Sequence, residues 1–491
     1  MTTTGTRICL LTGGGYPYRR DALAGWCRTV VEGLPDVTFD LLAVTDREPQ
    51  GTPAYPLPPN VASLRAVALH RDERPRGDVV SPAAVLLCRG LLGEQANAHE
   101  MFAEGLRRLL GGGADPLAGV PLADLLMDAW RAGRPTAGND RPLPRLNARD
   151  ARSAAHLVRN AARALAVRSP QADLVHCAGG TAPLLAALAG HWRTGTPLLL
   201  TEARPPVPRM RPGELKLSPP VRAVLRLFRR AVVRTGYAEA GLIAPMSAYH
   251  HGWARRLGAR ADRLVSVPAG VDPRDYATAT EPAVAEPALL WAGTGGPDSG
   301  LDLVLAAFAG VLAEVPAAVL HLVGVTADDE DHCAQRIERA GLERSIRLHP
   351  LRADRRERYA PGHVVLHVPG PADPPYRLVE AMMSGRAVVG VEIGPAAETL
   401  GRTGVLVPPG AAKTLAGACV DLLRSPRRRR ALGEAARRRA LAQFTTGRMV
   451  RAYGALYTDL AAPPPAPAFE LTLAVPAPRD ELSLTGHWRP M

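Results

Sequence analysis

Residues 377–410 read RLVEAMMSGRAVVGVEIGPAAETLGRTGVLVPPG and contain the alternation that decides the fold. The spacing of apolar residues predicts a helix over 376–384. The runs RAVVGVEI (386–393) and GVLVPPG (404–410) are rich in β-branched residues and end in turn residues, so each predicts a short buried strand. Helices alternating with buried strands are typical of a parallel sheet that is covered on both faces.

The same alternation extends toward both ends of the chain. Ahead of this stretch, ALLWAGTGG (288–296), AAVLHLVGV (317–325), SIRLHPL (345–351) and HVVLHVPG (363–370) predict strands, with helices over 300–314 and 328–340; a further helix is predicted over 411–424. The first half opens with a strand, glycine loop and helix at residues 6–34 and a second strand at VTFDLLAVTD (37–46). Alternation resumes after residue 165 and includes RLVSVPAGVD (263–272), which we interpret as a strand.

Two doubly wound α/β domains in tandem account for this pattern. We expect an N-terminal Rossmann-like domain at 1–280, with a helical and loop-rich insertion at about 75–165. A C-terminal Rossmann-like domain is expected at 285–460, and a proline-rich tail at 461–491. Two domains also agree with a length of 491 residues, which exceeds what one core usually organises.

Composition narrows the class of protein. Hydrophobic residues make up 46% and charged residues 22%, and no apolar run is long enough to span a membrane. The start MTTTGTRICLLTGGG lacks the features of a secretory signal, so we expect a cytoplasmic protein. A net charge of +13 favours an acidic partner, whereas aromatic residues at 4% do not indicate nucleic-acid binding.

Cysteine and histidine spacing does not predict a metal site. The six cysteines lack ligand spacing and are expected to be buried free thiols; they are Cys9, Cys27, Cys88, Cys177, Cys333 and Cys419. The acidic run TADDEDH (326–332) is expected to favour a helix N-terminus rather than to hold a metal. His250 and His251 are expected at the surface.

The motifs resemble a known family. The stretch quoted first is similar to the donor-binding half of the GT-B glycosyltransferases of family 4, and VPAGVDPRDY (267–276) resembles the segment that precedes that half. GGGYPYRRDALAGW (13–26) is similar to the opening of the bacterial branch that includes the Pel exopolysaccharide glycosyltransferase. The resemblance implies a GT-B fold, with two Rossmann-like domains facing across a cleft. It also implies transfer of a sugar from a nucleotide sugar with retention and without a metal.

The resemblance assigns donor-binding roles to several positions. Glu380 corresponds to the second glutamate of the family's E-x7-E pair and is expected to hydrogen-bond the ribose hydroxyls. Glu398 and Gly394 correspond to the turn where a phosphate meets backbone N–H groups, although Glu398 could equally be a capping carboxylate. The remaining donor-binding candidates are Arg377, Gly293, Thr294 and Ser299.

Several family side chains are replaced. The two cations of the family's GRxxxxKG loop become Thr294 and Ser299 within GTGGPDSG (293–300), and the first glutamate of the pair becomes Ala372. The family's active-site histidine becomes Ala203 in TEAR (201–204), with Arg204 after it, and an asparagine becomes Ala269. Arg377, or the loop residues Arg352, Arg355 and Arg356, could supply the missing positive charge; solvated surface arginines are the alternative.

The acceptor side is expected at the end of the first strand, at Gly14, Gly15 and Tyr16, with a tight structural turn as the alternative. Two hypotheses remain open. One is an active transferase that uses a glycan or polysaccharide acceptor. The other is an inactive homologue that binds nucleotide or supports an active glycosyltransferase. The arginine-rich helix in SPRRRRALGEAARRRALAQF (425–444) indicates either a solvated basic face or contact with the anionic inner face of a membrane.

Overall fold

The structure, a computed structural model, describes most of the chain. The described residues are 5–48, 52–70, 77–92, 97–133, 144–204, 212–276, 278, 281, 286–296, 299–350, 357–370 and 373–462. Ala372, Arg352, Arg355, Arg356 and nearly all of the predicted tail lie outside these residues. By its contacts, the chain up to Ala461 forms one compact unit.

The strands form two six-stranded sheets in which each neighbouring pair is parallel. The first sheet contains β1 (Arg7–Thr12), β2 (Thr38–Thr45), β3 (Val61–Ala68), β4 (Leu174–Cys177), β5 (Leu198–Glu202) and β6 (Leu242–Pro245). The second contains β7 (Ala288–Ala292), β8 (Val319–Val325), β9 (Ile346–Pro350), β10 (Val364–His367), β11 (Ala387–Val391) and β12 (Val405–Val407). We call these sheets with their helices the N-lobe and the C-lobe.

Sixteen α-helices lie among the described residues. Those up to the end of the first sheet are α1 (Ala22–Gly33), α2 (Pro82–Leu92), α3 (Ala98–Arg108), α4 (Leu122–Ala132), α5 (Ala148–Ala162), α6 (Thr181–Thr194), α7 (Pro212–Leu215), α8 (Pro219–Glu239) and α9 (Ala248–Arg256). The others are α10 (Leu301–Glu314), α11 (Glu330–Ala340), α12 (Tyr376–Met383), α13 (Ala396–Leu400), α14 (Ala412–Arg424), α15 (Pro426–Gln443) and α16 (Thr446–Ala461). None of the described helices is long and apolar enough to cross a membrane.

Both sheets have the strand order of a doubly wound fold. The order is β3-β2-β1-β4-β5-β6 in the N-lobe and β12-β11-β10-β7-β8-β9 in the C-lobe. The direction of winding reverses between β1 and β4 in one lobe and between β7 and β10 in the other. Such a reversal opens a crevice at the carboxyl ends of the two strands, which is where ligands bind in this class of sheet. The predicted fold class is therefore confirmed.

The helical region predicted as an insertion is part of the N-lobe core. Helices α2 to α5 contribute buried residues such as Leu87, Phe102 and Leu126 to a cluster that also contains Leu11 of β1 and Leu42 of β2. Burial of these apolar side chains fixes the four helices on one face of the sheet. The limits predicted for the domains remain predictions.

Two strand assignments differ from the sequence analysis. β3, which no pattern above predicted, is an edge strand with several exposed side chains, so its hydrophobic signal is weak. RLVSVPAGVD (263–272) is not a strand of the sheet. Val265 and Val267 donate backbone hydrogen bonds to the β6 segment, but Pro268 follows and has no N–H with which to continue that ladder.

Candidate functional site

The crevice at the reversal of the C-lobe sheet is bordered by two loops. Residues 293–300 follow β7, and residues 368–375 follow β10 and lead into α12. Gly300 has a φ of +78°, and a side-chain Cβ there would lie 2.6 Å from Cγ1 of Val368. Glycine at this position therefore allows the end of the loop after β7 to pack against Val368, the first residue after β10.

Glu380 lies in the second turn of α12 at the centre of a charged cluster. Its Oε2 atom accepts hydrogen bonds from Arg358 Nη1 at 2.9 Å, from the Tyr359 hydroxyl at 3.0 Å and from Arg377 Nη1 at 3.4 Å. Arg358 Nη1 also lies 3.4 Å from the Tyr276 hydroxyl. The Glu380 side chain is 13% exposed, so it is largely but not completely enclosed.

The charge state of Glu380 follows from these neighbours. Burial favours the protonated acid, but the guanidinium groups of Arg377 and Arg358 and the hydroxyls of Tyr359 and Tyr276 outweigh burial and lower the pKa of the carboxyl. Glu380 is therefore ionised at neutral pH. An ionised carboxylate accepts several hydrogen bonds at once, so internal contacts do not prevent it from accepting a ligand hydroxyl as well.

The other donor-binding candidates lie in the neighbouring loops. Thr294 is exposed, whereas the Ser299 hydroxyl is buried and has no hydrogen-bond partner among the described residues. A Cβ at Gly293 would lie 2.2 Å from the Trp291 ring, so packing explains that glycine. Gly394 has a φ of +61° with open space around it. Neither Thr294 nor Ser299 supplies a positive charge.

Glu398 connects the two lobes. Its Oε2 accepts a hydrogen bond from the backbone N–H of Ala248 at 2.7 Å, and its Oε1 accepts one from the N–H of Tyr249 at 3.3 Å. These N–H groups belong to the first turn of α9, where Ser247 also caps the N–H of His250. Glu398 is thus a capping carboxylate in this structure, and the helix that it caps belongs to the other lobe.

We expect Glu398→Ala to lower the free energy of unfolding by about 1 kcal/mol, because two N–H groups of α9 lose their acceptor. Urea unfolding of the variant and of the wild type measures the loss. Glu392→Ala is the matched control, since Glu392 is exposed in the same connection after β11. A Glu398 variant as stable as the control would mean that Ser247 and solvent satisfy these N–H groups.

The acceptor-side candidates follow β1, at the reversal of the N-lobe sheet. A Cβ at Gly14, which has a φ of +83°, would lie 2.3 Å from Cγ2 of Thr45, so this glycine is required by the turn. Gly15 lies against the carboxylate of Asp21, which caps α1. Tyr16 is buried in the N-lobe core, and its hydroxyl has no hydrogen-bond partner among the described residues. These contacts agree with a tight structural turn, which is the alternative to an acceptor site at these residues.

Two of the alanines that the sequence comparison singled out, Ala203 and Ala269, are also buried. Ala203 and Ala269 lie in the same core cluster as Tyr16. Glu202, which precedes Ala203 at the end of β5, has none of the roles predicted from the sequence. Burial raises the pKa of this carboxyl to about 8. The hydroxyl of Tyr237 faces Glu202 and partly offsets that rise.

Metal-ligand geometry is absent from the described residues, where no group of three or more histidine, cysteine, aspartate or glutamate side chains could hold an ion. The acidic run 326–332 forms a turn and the start of α11, as expected from the helix dipole. The six cysteines are free and buried, which confirms that prediction. The surface position predicted for His250 is wrong, because its ring is buried against Ser247.

Arg358 is the residue of the charged cluster that the sequence analysis missed. It lies in RADRRERY (352–359), where four arginines share one short segment and no periodicity separates them. Arg358 is identified by its contact with Glu380 of α12. The arginine-rich helix α15 packs on the C-lobe, where Arg429, Arg437 and Arg439 donate hydrogen bonds inward.

Comparison with known proteins adds two family matches. Residues 286–425 match the family described as Glycosyl transferases group 1, and residues 6–115 match a domain of unknown function (DUF3492). A search of the curated proteins finds no match.

Solved structures similar to this chain cover nearly all of it. HepE from Anabaena, crystallised in complex with UDP and glucose, has a TM-score of 0.56 and 16% identity over 92% of this chain and 99% of its own. The fold is GT-B. Sucrose-phosphate synthase from Thermosynechococcus elongatus has a TM-score of 0.58 and 18% identity over 93% and 99% of the two chains. WaaG, a glycosyltransferase involved in lipopolysaccharide biosynthesis, has a TM-score of 0.53 and 13% identity over 93% of this chain and 100% of its own.

Proposed function

We propose that this protein is a nucleotide-sugar-dependent glycosyltransferase, of family 4 type and related to the branch that includes the Pel exopolysaccharide glycosyltransferase. The observation that carries the proposal is the position of Glu380. This ionised carboxylate lies within the segment that matches Glycosyl transferases group 1, on the helix that follows the crevice of the C-lobe sheet. A carboxylate in that place can accept hydrogen bonds from ribose hydroxyls.

The proposed reaction transfers a sugar with retention to a glycan or polysaccharide. The bond between the anomeric carbon and the diphosphate oxygen breaks, a bond to the acceptor oxygen forms, and the acceptor proton leaves with the diphosphate. The departing diphosphate gains negative charge, which N–H groups and cations in the crevice would stabilise. The N–H groups at the start of α12 and the arginines beside Glu380 are our candidates for that task.

We propose that no metal ion takes part in this transfer. A transferase of this kind retains its activity in a chelator such as EDTA, because arginine side chains and backbone N–H groups carry the charge of the leaving group. Loss of turnover in EDTA that added Mg²⁺ or Mn²⁺ restores would contradict this part of the proposal.

The binding experiment measures affinities for UDP-glucose and for other nucleotide sugars by calorimetry. UDP-glucose is the first probe, because the structurally similar HepE has been crystallised with it. We expect the wild type to bind at least one nucleotide sugar. Glu380→Ala should weaken that binding by about 10-fold or more, since a hydrogen bond to a charged group contributes about 1.5–3 kcal/mol.

Glu338→Ala is the control, because Glu338 is exposed on α11 of the same lobe. Circular dichroism verifies that both variants are folded. Equal affinities of the Glu380 variant and the control would contradict the role of Glu380. Absence of nucleotide-sugar binding by the wild type would contradict the proposed function itself.

A second function is favoured by the loss of both loop cations at Thr294 and Ser299. Removal of one group that stabilises transition-state charge typically lowers turnover by a factor of about 10²–10³. The alternative is therefore an inactive homologue that binds nucleotide and supports an active glycosyltransferase. Release of nucleoside diphosphate in the presence of glycan acceptors supports the enzyme, and tight binding without release supports the alternative.

The localisation proposed for this protein is the cytoplasm, with contact at the inner face of a membrane as an additional proposal. Arg427, Arg428 and Arg438 are exposed on α15 and would face anionic lipid. Sedimentation with vesicles that contain phosphatidylglycerol tests this contact, with vesicles of phosphatidylcholine alone as the control.

A further inference from the structure

The charged cluster around Glu380 contains more positive charge than its carboxylate requires. Arg358 and Arg377 both bond to the same oxygen of Glu380, at 2.9 and 3.4 Å. Arg377 lies three residues before Glu380 on α12, so it is a sufficient partner supplied by the helix itself. Arg358 comes from the separate turn that precedes β10 and is not needed to neutralise Glu380.

Arg358 is held in place by its surroundings. Arg386, which is buried, donates hydrogen bonds from Nε to the Tyr359 carbonyl and from Nη2 to the Ala360 carbonyl, both at 3.0 Å. These bonds fix the turn that carries Arg358. The Tyr359 hydroxyl then connects the same turn to Glu380 at 3.0 Å. Arg358 is therefore oriented before any ligand arrives, which reduces the entropy lost on binding.

The location of Arg358 makes its charge effective. Its side chain is 9% exposed, and that of Arg377 is 32% exposed. Within the described part of the chain, the ion pairs of these three residues place two guanidinium groups against one carboxylate, which gives the group a net charge of +1. Positive charge withdrawn from water is costly unless an anion accompanies it, and it attracts anions more strongly than exposed charge does.

We propose that Arg358 binds the diphosphate of the nucleotide and so replaces the loop cations that are Thr294 and Ser299 in this chain. This inference rests on the proposed function, in which Glu380 holds the ribose. The phosphates of a nucleotide are joined to the ribose through its C5′ atom. A nucleotide whose ribose is held by Glu380 therefore brings its phosphates to the side of α12 on which Arg358 lies. A guanidinium group has five N–H donors, and those that do not bond to Glu380 suit bidentate binding of phosphate.

The test compares each nucleoside diphosphate with its own nucleoside. Calorimetry measures the affinities of three pairs of ligands: UDP and uridine, ADP and adenosine, and GDP and guanosine. Each pair is tested against the wild type, Arg358→Gln and Arg358→Lys. For the pair that the wild type binds best, we expect Arg358→Gln to weaken diphosphate binding by about 10- to 100-fold and to leave nucleoside binding nearly unchanged. Arg358→Lys keeps the charge and should recover part of the loss.

Arg424→Gln is the matched control, because Arg424 is an exposed arginine of the same lobe. It should bind both ligands as the wild type does. Equal weakening of diphosphate and nucleoside binding in Arg358→Gln would overturn the inference, since it would show that Arg358 only positions Glu380. No weakening of diphosphate binding would overturn it too. Failure of the wild type to bind any nucleotide would instead overturn the proposed function, and this inference with it.

Discussion

Lowering the pH from 6.5 to about 3 is expected to remove about 5 kcal/mol of unfolding free energy through His176 alone. Burial lowers the pKa of the His176 imidazole from 6.5 to about 3 in the folded protein. The folded state therefore requires the neutral ring, whereas the unfolded chain takes up a proton near pH 6.5. The stability is fully present above pH 6.5 and is lost as the pH falls toward 3, at about 1.4 kcal/mol per pH unit.

The contacts of His176 explain this requirement. Its Nδ1 lies 2.8 Å from the Tyr457 hydroxyl, and its Nε2 lies 2.8 Å from the Thr201 hydroxyl. A neutral ring offers one donor and one acceptor to these hydroxyls, whereas a protonated ring offers two donors and no acceptor. Tyr457 belongs to α16, so this histidine also holds the last helix of the fold against β4 and β5 of the N-lobe.

Urea unfolding between pH 3 and 7 measures this effect in the wild type and in His176→Gln. The slope of the unfolding free energy against pH should be smaller in the variant, by the contribution of about one proton, because glutamine does not titrate. Tyr457→Phe is the control: it removes one hydrogen bond, costs about 1 kcal/mol at every pH and keeps the wild-type slope. Identical slopes in the wild type and His176→Gln would contradict the buried neutral ring.

Glu202→Gln is expected to stabilise the protein by about 3 kcal/mol at pH 7 and to give no gain at pH 4.5 or below. Burial raises the pKa of the Glu202 carboxyl from 4.5 to about 8. The folded state therefore favours the protonated acid, while the unfolded chain releases the proton near pH 4.5. Stability from this group is complete below pH 4.5 and is lost as the pH rises toward 8. Glutamine resembles the protonated acid and avoids this loss.

Thermal and urea unfolding at pH 4.5 and pH 7 test the prediction. Glu434→Gln is the control, because Glu434 is an exposed residue of α15, and it should stay within about 0.5 kcal/mol of the wild type at both pH values. A Glu202 variant that is no more stable than the wild type at pH 7 would show that the carboxyl is charged in the folded state and is stabilised by a neighbour.

The predicted elements of the C-lobe agree closely with the structure. The helix expected over 376–384 is α12 at Tyr376–Met383, and the runs at 386–393 and 404–410 contain β11 and β12. These segments are short, apolar and bounded by glycine or proline, so local periodicity is enough to find them. β3 was missed because an edge strand buries little, and its sequence therefore shows weak alternation.

The candidate site was less predictable than the fold. The motif predicts the segment that carries Glu380 but not its partner Arg358, because Arg358 lies among other arginines in the sequence. The sequence leaves two interpretations of Glu398 open, and only the position of α9 in the other lobe shows which group it contacts. The surface position predicted for His250 is wrong because the sequence does not show that its ring is buried and hydrogen-bonded to Ser247.

The sequence by itself determined the two parallel sheets and the order of strands and helices in the C-lobe. These properties follow from periodicity and from residue types at fixed spacing, which are local. Only the tertiary structure decided that Arg358 joins Glu380, that Glu398 caps a helix of the other lobe, and that Glu202 and His176 are buried. Each of these depends on groups distant in the chain, whose approach is set by packing of the whole core.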